Sequence, residues 1–386
     1  MIITKVELEN WKNFQKCSVD LSERCFIVGA NASGKSNFLD VFRFLHDIVR
    51  PGGGLQTAVA MRGGIKKIRC LAARKKTYVA ISIFVSNKDE NEEWYYKLVF
   101  KGVYGGVVKQ EIRIVSEYVS HNGTILLNRN EKDNNEDSET LHYTNIEQAI
   151  ANQQFRDLRD FLLRIDYLNV VPQFVREPDS VQLSKGREDY YGRNFLQRLS
   201  LMNEATKRSY FKRVNEILKL AVPQLEELKL VKDAMGVPHL EAKYEHWRAK
   251  GSKQSEEQFS DGTLRLIGFL FALLDNKGII LLEEPETNLH SAIVAQFPEF
   301  ISKIQRLKKD RRQVFITTHS YDMLSNSGIG GDEVVLLRPS TEGTEVVIAS
   351  SLQEIQNELS AGFSIADSIL PMTTPKHVND ISQLSM

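Results

Sequence analysis

The chain opens with alternating hydrophobic and polar positions. Apolar side chains recur in this way over residues 3–8 and again over 19–21, with a turn at 11–13 between them. A period of two predicts strands that bury one face and expose the other. Residues 25–28 are apolar throughout, which predicts a third strand that is buried on both faces.

The pattern then changes to helical spacing before it returns to strands. Residues 38–45 predict a helix, which we expect to end at the glycine-rich stretch 50–54. Three later runs alternate again and predict antiparallel strands joined by polar turns; they are 79–85, 94–100 and 111–115. Residues 128–140 are rich in Asn, Asp, Glu and Lys and predict a solvated loop.

The second half of the chain mixes helices with buried strands. Helical spacing covers 146–163, a core strand is predicted at 167–171, and residues 192–221 predict one or two amphipathic helices. A polar loop is expected at 249–258. Beyond it, continuous apolar runs predict two buried parallel strands; they are 279–282 and 314–318.

Composition limits the class of protein. A chain of 386 residues can bury a large core and form two lobes. Lys+Arg and Asp+Glu are equal at 50 each, so any DNA-binding surface has to be local. The stretch 61–76 lacks acids and reads equally well as a DNA-binding patch or as a solvated basic face; its cations are Arg62, Lys66, Lys67, Arg69, Arg74, Lys75 and Lys76. A smaller cluster comprises Lys308, Arg311 and Arg312.

Cysteine content and hydropathy predict a cytoplasmic protein. The three cysteines, Cys17, Cys25 and Cys70, form no C-x-x-C pair, which argues against a disulfide framework or a zinc site. The longest apolar stretch, near 268–274, is too short to span a bilayer. The N-terminus has no signal-peptide pattern. We therefore expect a reducing compartment and no membrane partner.

Residues 29–36 join the third predicted strand to the first predicted helix and match the phosphate-binding loop G-x-x-x-x-G-K-[ST]. Such a loop turns backbone N–H groups toward an anion at a helix N-terminus. Lys35 can reach the β- and γ-phosphates, and the Ser36 hydroxyl can bind Mg²⁺. The sequence predicts a nucleoside triphosphate site formed by Gly29, Ala30, Asn31, Ala32, Ser33, Gly34, Lys35 and Ser36.

Polar residues end both later strands. The run at 279–282 leads into Glu283 and Glu284, and the run at 314–318 leads into His319. Because ligands bind at the carboxyl ends of parallel strands, we expect these side chains beside the phosphate loop. Glu283 is expected to hold the metal, through water, and Glu284 to act as the general base. His319 is expected to contact the γ-phosphate or the attacking water.

Ser260 and Gly262 precede another apolar helix, where they predict an N-cap and a close backbone approach. With the segments above, this stretch resembles the ABC-type ATPases, in the branch that includes RecF, SMC proteins and the OLD-like ATPases. Five segments carry the resemblance: the opening strand and turn at 3–14, the Walker A loop with Asn31 and Asn37, the signature motif at 260–263, Walker B with the D-loop at 282–290, and the switch histidine at 318–320.

The resemblance implies an α/β fold. It is the ABC-type ATPase head, with a mixed central sheet, an N-terminal antiparallel β subdomain and a helical lobe inserted between Walker A and the signature. The expected boundaries are 1–175 and 251–350 for the two parts of the head, 176–250 for the lobe and 351–386 for a tail. Asn37, Ser260, Asp261 and Gly262 would contact ATP, and Gln173 would be the Q-loop glutamine that reaches the metal.

Three departures from the family pattern stand out. Glu283 replaces the usual Asp, as in many OLD-like proteins, Ser291 replaces the usual Pro after His290, and Asp261 replaces a signature glycine. Each required donor and acid is retained.

The resemblance also implies an ATPase that works as a homodimer, or a higher assembly, because the signature of one copy closes over the ATP of the other. In this reading ATP and Mg²⁺ drive engagement of the heads, which senses or clamps DNA and regulates a separately encoded effector such as a nuclease in bacterial antiviral defence. A repair or chromosome-maintenance ATPase of the RecF or SMC type is an alternative. A scaffold with mainly structural ATP is another.

Overall fold

The computed structural model describes residues 1–73, 76–87, 91–104, 110–131, 138–177, 192–245, 252–274, 278–306, 312–374 and 380. The strands within these ranges are β1 (Ile2–Trp11), β2 (Phe14–Asp20), β3 (Arg24–Gly29), β4 (Tyr78–Asn87), β5 (Glu92–Tyr104), β6 (Gln110–His121), β7 (Thr124–Asn130), β8 (Asp166–Leu168), β9 (Leu225–Lys232), β10 (Pro238–Tyr244), β11 (Ser252–Ser255), β12 (Ile280–Glu283), β13 (Val314–Thr318), β14 (Val334–Ser340) and β15 (Gly343–Ile348).

The helices in the same ranges are α1 (Lys35–Val49), α2 (Leu55–Met61), α3 (Ile65–Ile68), α4 (Arg156–Leu163), α5 (Pro172–Arg176), α6 (Phe195–Leu201), α7 (Glu204–Ala221), α8 (Asp261–Leu274), α9 (Ser291–Val294), α10 (Phe297–Arg306), α11 (Tyr321–Leu324), α12 (Gln353–Ser360) and α13 (Ile365–Thr373). The chain divides into two compact units. Unit 1 comprises 1–166, 277–281 and 311–386, and unit 2 comprises 167–276 and 282–310.

Unit 1 contains the predicted N-terminal antiparallel β subdomain. Its six strands have the order β2-β1-β4-β5-β6-β7. The tight turn between β1 and β2 pairs Trp11 with Phe14, and both aromatic side chains are fully buried. The Trp11 ring packs against Phe44 of α1 with centroids 5.1 Å apart, so the turn is fixed to the helix that follows the phosphate loop.

The second sheet has the order β15-β14-β3-β13-β12-β8, and the chain passes between the units within β12 and within β8. Strands β13 and β14 run parallel to β3, while β15 is antiparallel to β14, so this is the mixed sheet that the sequence predicted. Every residue of β3 is buried, as its continuous apolar run indicates. Phe42 of α1 stacks on Phe315 of β13, with ring centroids 4.7 Å apart.

Unit 2 contains the predicted amphipathic helices, which are α6 and α7. It also contains a three-stranded antiparallel sheet, β11-β10-β9, that the sequence did not predict. The polar loop expected at 249–258 is wrong over Ser252–Ser255, because these residues pair with β10 as strand β11. An edge strand of this kind cannot be recognised from hydrophobic alternation, because its residues are polar and none of them is buried.

Two other boundaries differ from the sequence prediction. The solvated loop expected from residue 128 begins later, because β7 continues to Asn130; residues 132–137 lie outside the described ranges. The core strand expected at 167–171 is the shorter β8, and Pro172 opens helix α5 instead of only ending a strand. Proline fits there because the first helical position needs no N–H donor.

Candidate functional site

The predicted phosphate loop lies between β3 and α1, as its sequence context requires. Gly34 is the N-cap of α1 and has φ +102°, a left-handed conformation that glycine adopts readily. Ala32 also has positive φ, at 61°, which is uncommon for a residue with a side chain. The Lys35 ammonium donates to the carbonyl oxygen of Gly29 at 3.0 Å, so the lysine folds back over the loop.

Asn13, in the turn between β1 and β2, braces this loop from outside. Its side-chain nitrogen donates to the Ser33 carbonyl at 2.8 Å and to the Thr344 hydroxyl at 2.7 Å. Its side-chain oxygen accepts from the Asn37 amide at 2.8 Å. A Cβ atom on Gly34 would lie 2.0 Å from the Asn13 amide nitrogen, so this close approach is a second reason for glycine at the N-cap.

Buried charges anchor α1 behind the loop. Arg62 forms a bidentate pair with Asp40 and a further ion pair with Asp47 at 2.9 Å, and all three residues belong to unit 1. Lys12 reaches Asp40 at 2.6 Å. Burial by itself would raise the pKa of Asp40, but the charge and hydrogen bonds of Arg62 outweigh it and hold that pKa below its usual value. Asp40 therefore stays ionised, and its ion pairs with Arg62 and Lys12 hold α1 in place.

His319 lies at the same sheet edge as the phosphate loop. Strands β13 and β3 are parallel and pair Thr318 with Val28. His319 directly follows the last residue of β13, and Gly29 is the last residue of β3. The His319 side chain is exposed, whereas Thr318 is fully buried. Ser320 then caps the short helix α11 by accepting from the Met323 N–H. The predicted switch histidine therefore stands at the carboxyl edge of the sheet in unit 1.

The two acids predicted as Walker B lie at the end of β12 and belong to unit 2. Glu283 accepts a short hydrogen bond from the hydroxyl of Tyr167, a residue of β8 that is almost fully buried. Glu284 has φ +41°, a left-handed backbone conformation that is strained for a side chain of this size. The Glu284 carbonyl accepts from both the backbone N–H and the hydroxyl of Thr287, which closes a turn after the strand.

The predicted signature residues begin α8 in unit 2. The Ser260 hydroxyl accepts from the Thr263 N–H at 3.1 Å, which confirms the expected N-cap. A Cβ atom on Gly262 would lie 2.3 Å from the Asn288 carbonyl oxygen, so glycine allows α8 to contact the segment after Walker B. Asp261 forms an ion pair of 2.7 Å with Arg176 of α5. Gln173, the predicted Q-loop residue, is exposed in the same helix.

Each unit carries oxygen donors of the kind that Mg²⁺ prefers. No group of three or more His, Cys, Asp or Glu side chains in the described ranges could hold a metal ion alone. The exposed Ser36 hydroxyl, the Glu283 carboxylate and the Gln173 amide each offer an oxygen. Magnesium is commonly bound through one or two protein oxygens together with substrate phosphates and water. The chemistry of each of these oxygens, taken separately in its own unit, suits a metal that arrives with a nucleotide.

A known protein family matches most of the sequence of this chain. The family described as "AAA domain, putative AbiEii toxin, Type IV TA system" matches residues 25–325, which include every site residue predicted from the sequence. The chain belongs to this family. It is thus an ATPase-family protein of the AAA type, and the matched range contains the phosphate loop at 29–36.

One curated relative of this AAA-domain protein is ABC transporter A family member 10 of Dictyostelium discoideum, 26% identical over 125 residues. The match covers 32% of this chain and only 13% of that protein, so the chain spans a small part of its relative. Within the described residues, no helix combines the length and the apolar character that a membrane crossing demands.

Solved structures share the fold. An SMC head bound to the C-terminal winged-helix domain of ScpA is 18% identical, with a TM-score of 0.56, and the match covers 90% of this chain and 98% of that one. The SMC head with an extended coiled coil from Pyrococcus furiosus, bound to the C-terminal domain of ScpA, is 16% identical with a TM-score of 0.52, over 93% and 99% of the chains. The predicted fold class, an ABC-type head with mixed sheets and helices, is confirmed.

The candidate residues fall into two groups. Unit 1 holds the phosphate loop, Asn37 and His319, while unit 2 holds Gln173, the signature residues 260–262 and both acids. Sequence reasoning missed the residues that support them, namely Asn13, Tyr167 and Arg176. The sequence could have indicated Asn13, because this residue lies in the opening segment that resembles the family. No sequence feature indicates Tyr167 or Arg176, since their partners are distant in sequence.

Proposed function

We propose that this protein hydrolyses ATP and works as a dimer whose two heads engage when ATP is bound and separate after hydrolysis. The observation that carries the proposal is the braced phosphate loop, in which β3, the left-handed Gly34 and helix α1 form an anion-binding turn. Membership in an AAA-domain family supports the choice of ATP. The likeness to SMC heads supports the fold alone.

Each residue has a proposed role in this reaction. Backbone N–H groups of the loop and the Lys35 ammonium would bind the phosphates, and the N-terminus of α1 favours their negative charge. Ser36 and Glu283, with Gln173, would hold Mg²⁺, which supplies charge neutralisation on the phosphate oxygens when bound. Glu284 would take a proton from the attacking water. His319 would orient that water or contact the γ-phosphate.

The dimer follows from the proposed role of Ser260. A serine at a helix N-terminus offers a hydroxyl and free N–H groups to a phosphate, and in the family resemblance these serve the nucleotide of the other copy. Contacts that exist only with an intact triphosphate would favour the engaged dimer before hydrolysis and release it afterwards. Because these contacts differ between the ATP-bound and the ADP-bound state, they are sufficient to switch the chain between dimer and monomer.

Phosphate release and molar mass, measured on the same purified chain, test the proposal. We expect steady ATP turnover that requires Mg²⁺ and stops on chelation. Light scattering should give a monomer without nucleotide and a dimer with ATP and EDTA, where hydrolysis is blocked. ADP should not support the dimer. A chain that neither hydrolyses ATP nor changes its mass with ATP would contradict both halves of the proposal.

DNA is the proposed ligand of the engaged heads, and part of the basic stretch at 61–76 supports this. Lys66, Lys67 and Arg69 are exposed around the short helix α3, with no acid among them in sequence. Arg62 is excluded from this surface, because its side chain is only 9% exposed and is paired with Asp40 and Asp47. Lys76 pairs with Glu9, whereas Arg74 and Lys75 lie outside the described residues.

In the second basic cluster, only Arg312 lies within the described residues, and it is not on the surface. Arg312 is buried, with its guanidinium 3.7 Å from Asp166 in the same unit. Lys308 and Arg311 lie outside the described residues. The segment around α3 is therefore the better candidate for phosphate contacts.

Replacing Lys66, Lys67 and Arg69 together by alanine should weaken DNA binding and flatten its salt dependence. Each lost phosphate contact lowers the slope of log K against log salt by about 0.9, so the triple variant should lose up to about 3. Binding isotherms between 50 and 200 mM salt measure this. The matched control replaces Lys229, Lys243 and Lys253, which are salt-bridged lysines on the sheet of unit 2. Equal slopes in all three proteins would reduce the segment to a solvated face.

A separately encoded partner completes the proposal. The family description names a toxin of a type IV toxin–antitoxin system, and each of the two SMC heads described above is bound to a domain of ScpA. We take the family description as the support for a head that works with another protein, since the ScpA complexes are properties of those SMC heads. Regulation of an effector, such as a nuclease in antiviral defence, remains our proposal for that partner, and RecF-like repair remains the alternative.

A further inference from the structure

One arginine of unit 2 contacts the signature segment on two sides. The guanidinium of Arg176 donates to the Phe259 carbonyl oxygen at 2.7 Å and to the Asp261 carboxylate at 2.7 Å, through the same nitrogen. These two acceptors flank Ser260, the residue proposed to face a triphosphate. Arg176 comes from α5 and the signature from α8, so the contact joins two helices that are far apart in sequence.

Asp261 poses an electrostatic problem for the proposed function. A carboxylate in the first turn of a helix suits the helix dipole but repels an incoming phosphate. The Asp261 side chain is about half exposed, at 48%, so it stands where an anion would approach. A cation, Arg176, lies beside this acid at 2.7 Å.

We propose that Arg176 is a positioning residue for the signature motif, and that it cancels the charge of Asp261 so that Ser260 and the N-terminus of α8 can accept the triphosphate of a second copy. This inference rests on the proposed ATP-dependent dimer. The Arg176 side chain is less exposed than its partner, at 21%, which limits screening of the pair by water. The bond to the Phe259 carbonyl fixes the backbone just before Ser260.

Removing the two charges singly and together tests the proposal, because a purely structural role for Arg176 predicts a different result for the double variant. Arg176→Ala leaves Asp261 without its cation, so ATP-driven dimerisation and turnover should each weaken about tenfold or more. Binding of ATP to the monomer should stay within about threefold, because the phosphate loop of the same chain is intact. Asp261→Ala alone removes the repelling carboxylate and keeps the arginine, so ATP-driven dimerisation should strengthen. The double variant Arg176→Ala with Asp261→Ala should recover to within about threefold of wild type.

Rescue by the second substitution decides between charge and packing. If Arg176 only held the Phe259 carbonyl, removing Asp261 as well could not restore the dimer. Arg176→Lys, which keeps the charge but loses the planar fork, should fall between wild type and Arg176→Ala. Lys253→Ala is the matched control, since it breaks an exposed ion pair with Glu241 elsewhere in unit 2 and should have no effect. Thermal melting of each variant checks folding.

The outcomes separate this inference from the function on which it rests. A wild-type chain that shows no ATP-dependent dimer refutes the proposed function. A wild-type chain that dimerises, with a double variant as impaired as Arg176→Ala, overturns the charge inference and leaves the function standing. Unchanged dimerisation in Arg176→Ala overturns it as well.

Discussion

Glu284→Gln should reduce ATP turnover by at least about 100-fold while ATP binding stays nearly unchanged, because general-base catalysis typically contributes a factor of about 100 to 10,000. The amide keeps the size of the side chain but cannot take a proton from water. The engaged dimer should therefore accumulate with ATP and Mg²⁺, where the wild-type chain would cycle. Phosphate release, nucleotide affinity and light scattering on one preparation measure the three quantities.

The backbone conformation of Glu284 leads to a second prediction, which concerns stability. Its φ of +41° is a conformation that costs a residue with a side chain on the order of 1–3 kcal/mol, and such strain tends to persist at functional sites. Glu284→Gly should relieve that strain and raise the free energy of unfolding by about 1 kcal/mol or more, while turnover is lost as in Glu284→Gln. A variant that is more stable but inactive would indicate that Glu284 is retained for function and not for stability.

Two results would count against the assignment. Glu284→Gln with normal turnover would move the general base elsewhere. Glu284→Gly that is less stable than wild type would remove the strain argument, although the catalytic role could survive. Glu299→Gln serves as a control, because it changes an exposed acid of the same unit that pairs with Lys303 and has no role in the proposed chemistry. The Glu284→Gln chain held in ATP is also the form with which a partner protein should co-purify.

The sequence predicted the parts of the fold that depend on neighbouring residues. The phosphate loop was recognisable because a strand, a glycine turn and a helix follow each other within one short stretch, and the hydrophobic period marks both flanks. The cap formed by Ser260 was predictable for the same reason. The antiparallel strands β4 to β6 carried a clear period of two, since one face of each packs into the core.

Contacts between distant segments escaped prediction. Arg62 looked like a surface cation because its neighbours in sequence are basic, yet Asp40 and Asp47 from α1 draw it into the core. Tyr167 reads as an ordinary core residue until its hydroxyl is found on Glu283. The edge strand β11 has no hydrophobic pattern because its pairing with β10 comes from backbone hydrogen bonds. Local composition carries no information about such partners.

Lys35→Ala should weaken ATP binding about 100-fold, or roughly 2.7 kcal/mol, because hydrogen bonds to charged groups contribute about 1.5–3 kcal/mol and this lysine also brings a full positive charge to the phosphates. Turnover at low ATP should fall by at least the same factor. Isothermal titration with ATP and Mg²⁺ measures the affinity directly. Lys5→Ala, which removes a cation paired with Glu7 on the antiparallel sheet, is the control and should bind normally.

The position of Lys35 makes the folding control necessary. The side chain is 8% exposed and its ammonium contacts the carbonyl oxygens of Gly29 and Ala30, so truncation could disturb the loop itself. Lys35→Met keeps the length and loses only the charge, and it should reproduce the loss of affinity with a melting temperature near that of wild type. If both variants fold and bind ATP as wild type does, residues 29–36 are not the nucleotide site, and the roles assigned to Glu283, Glu284 and Ser260 lose their common basis.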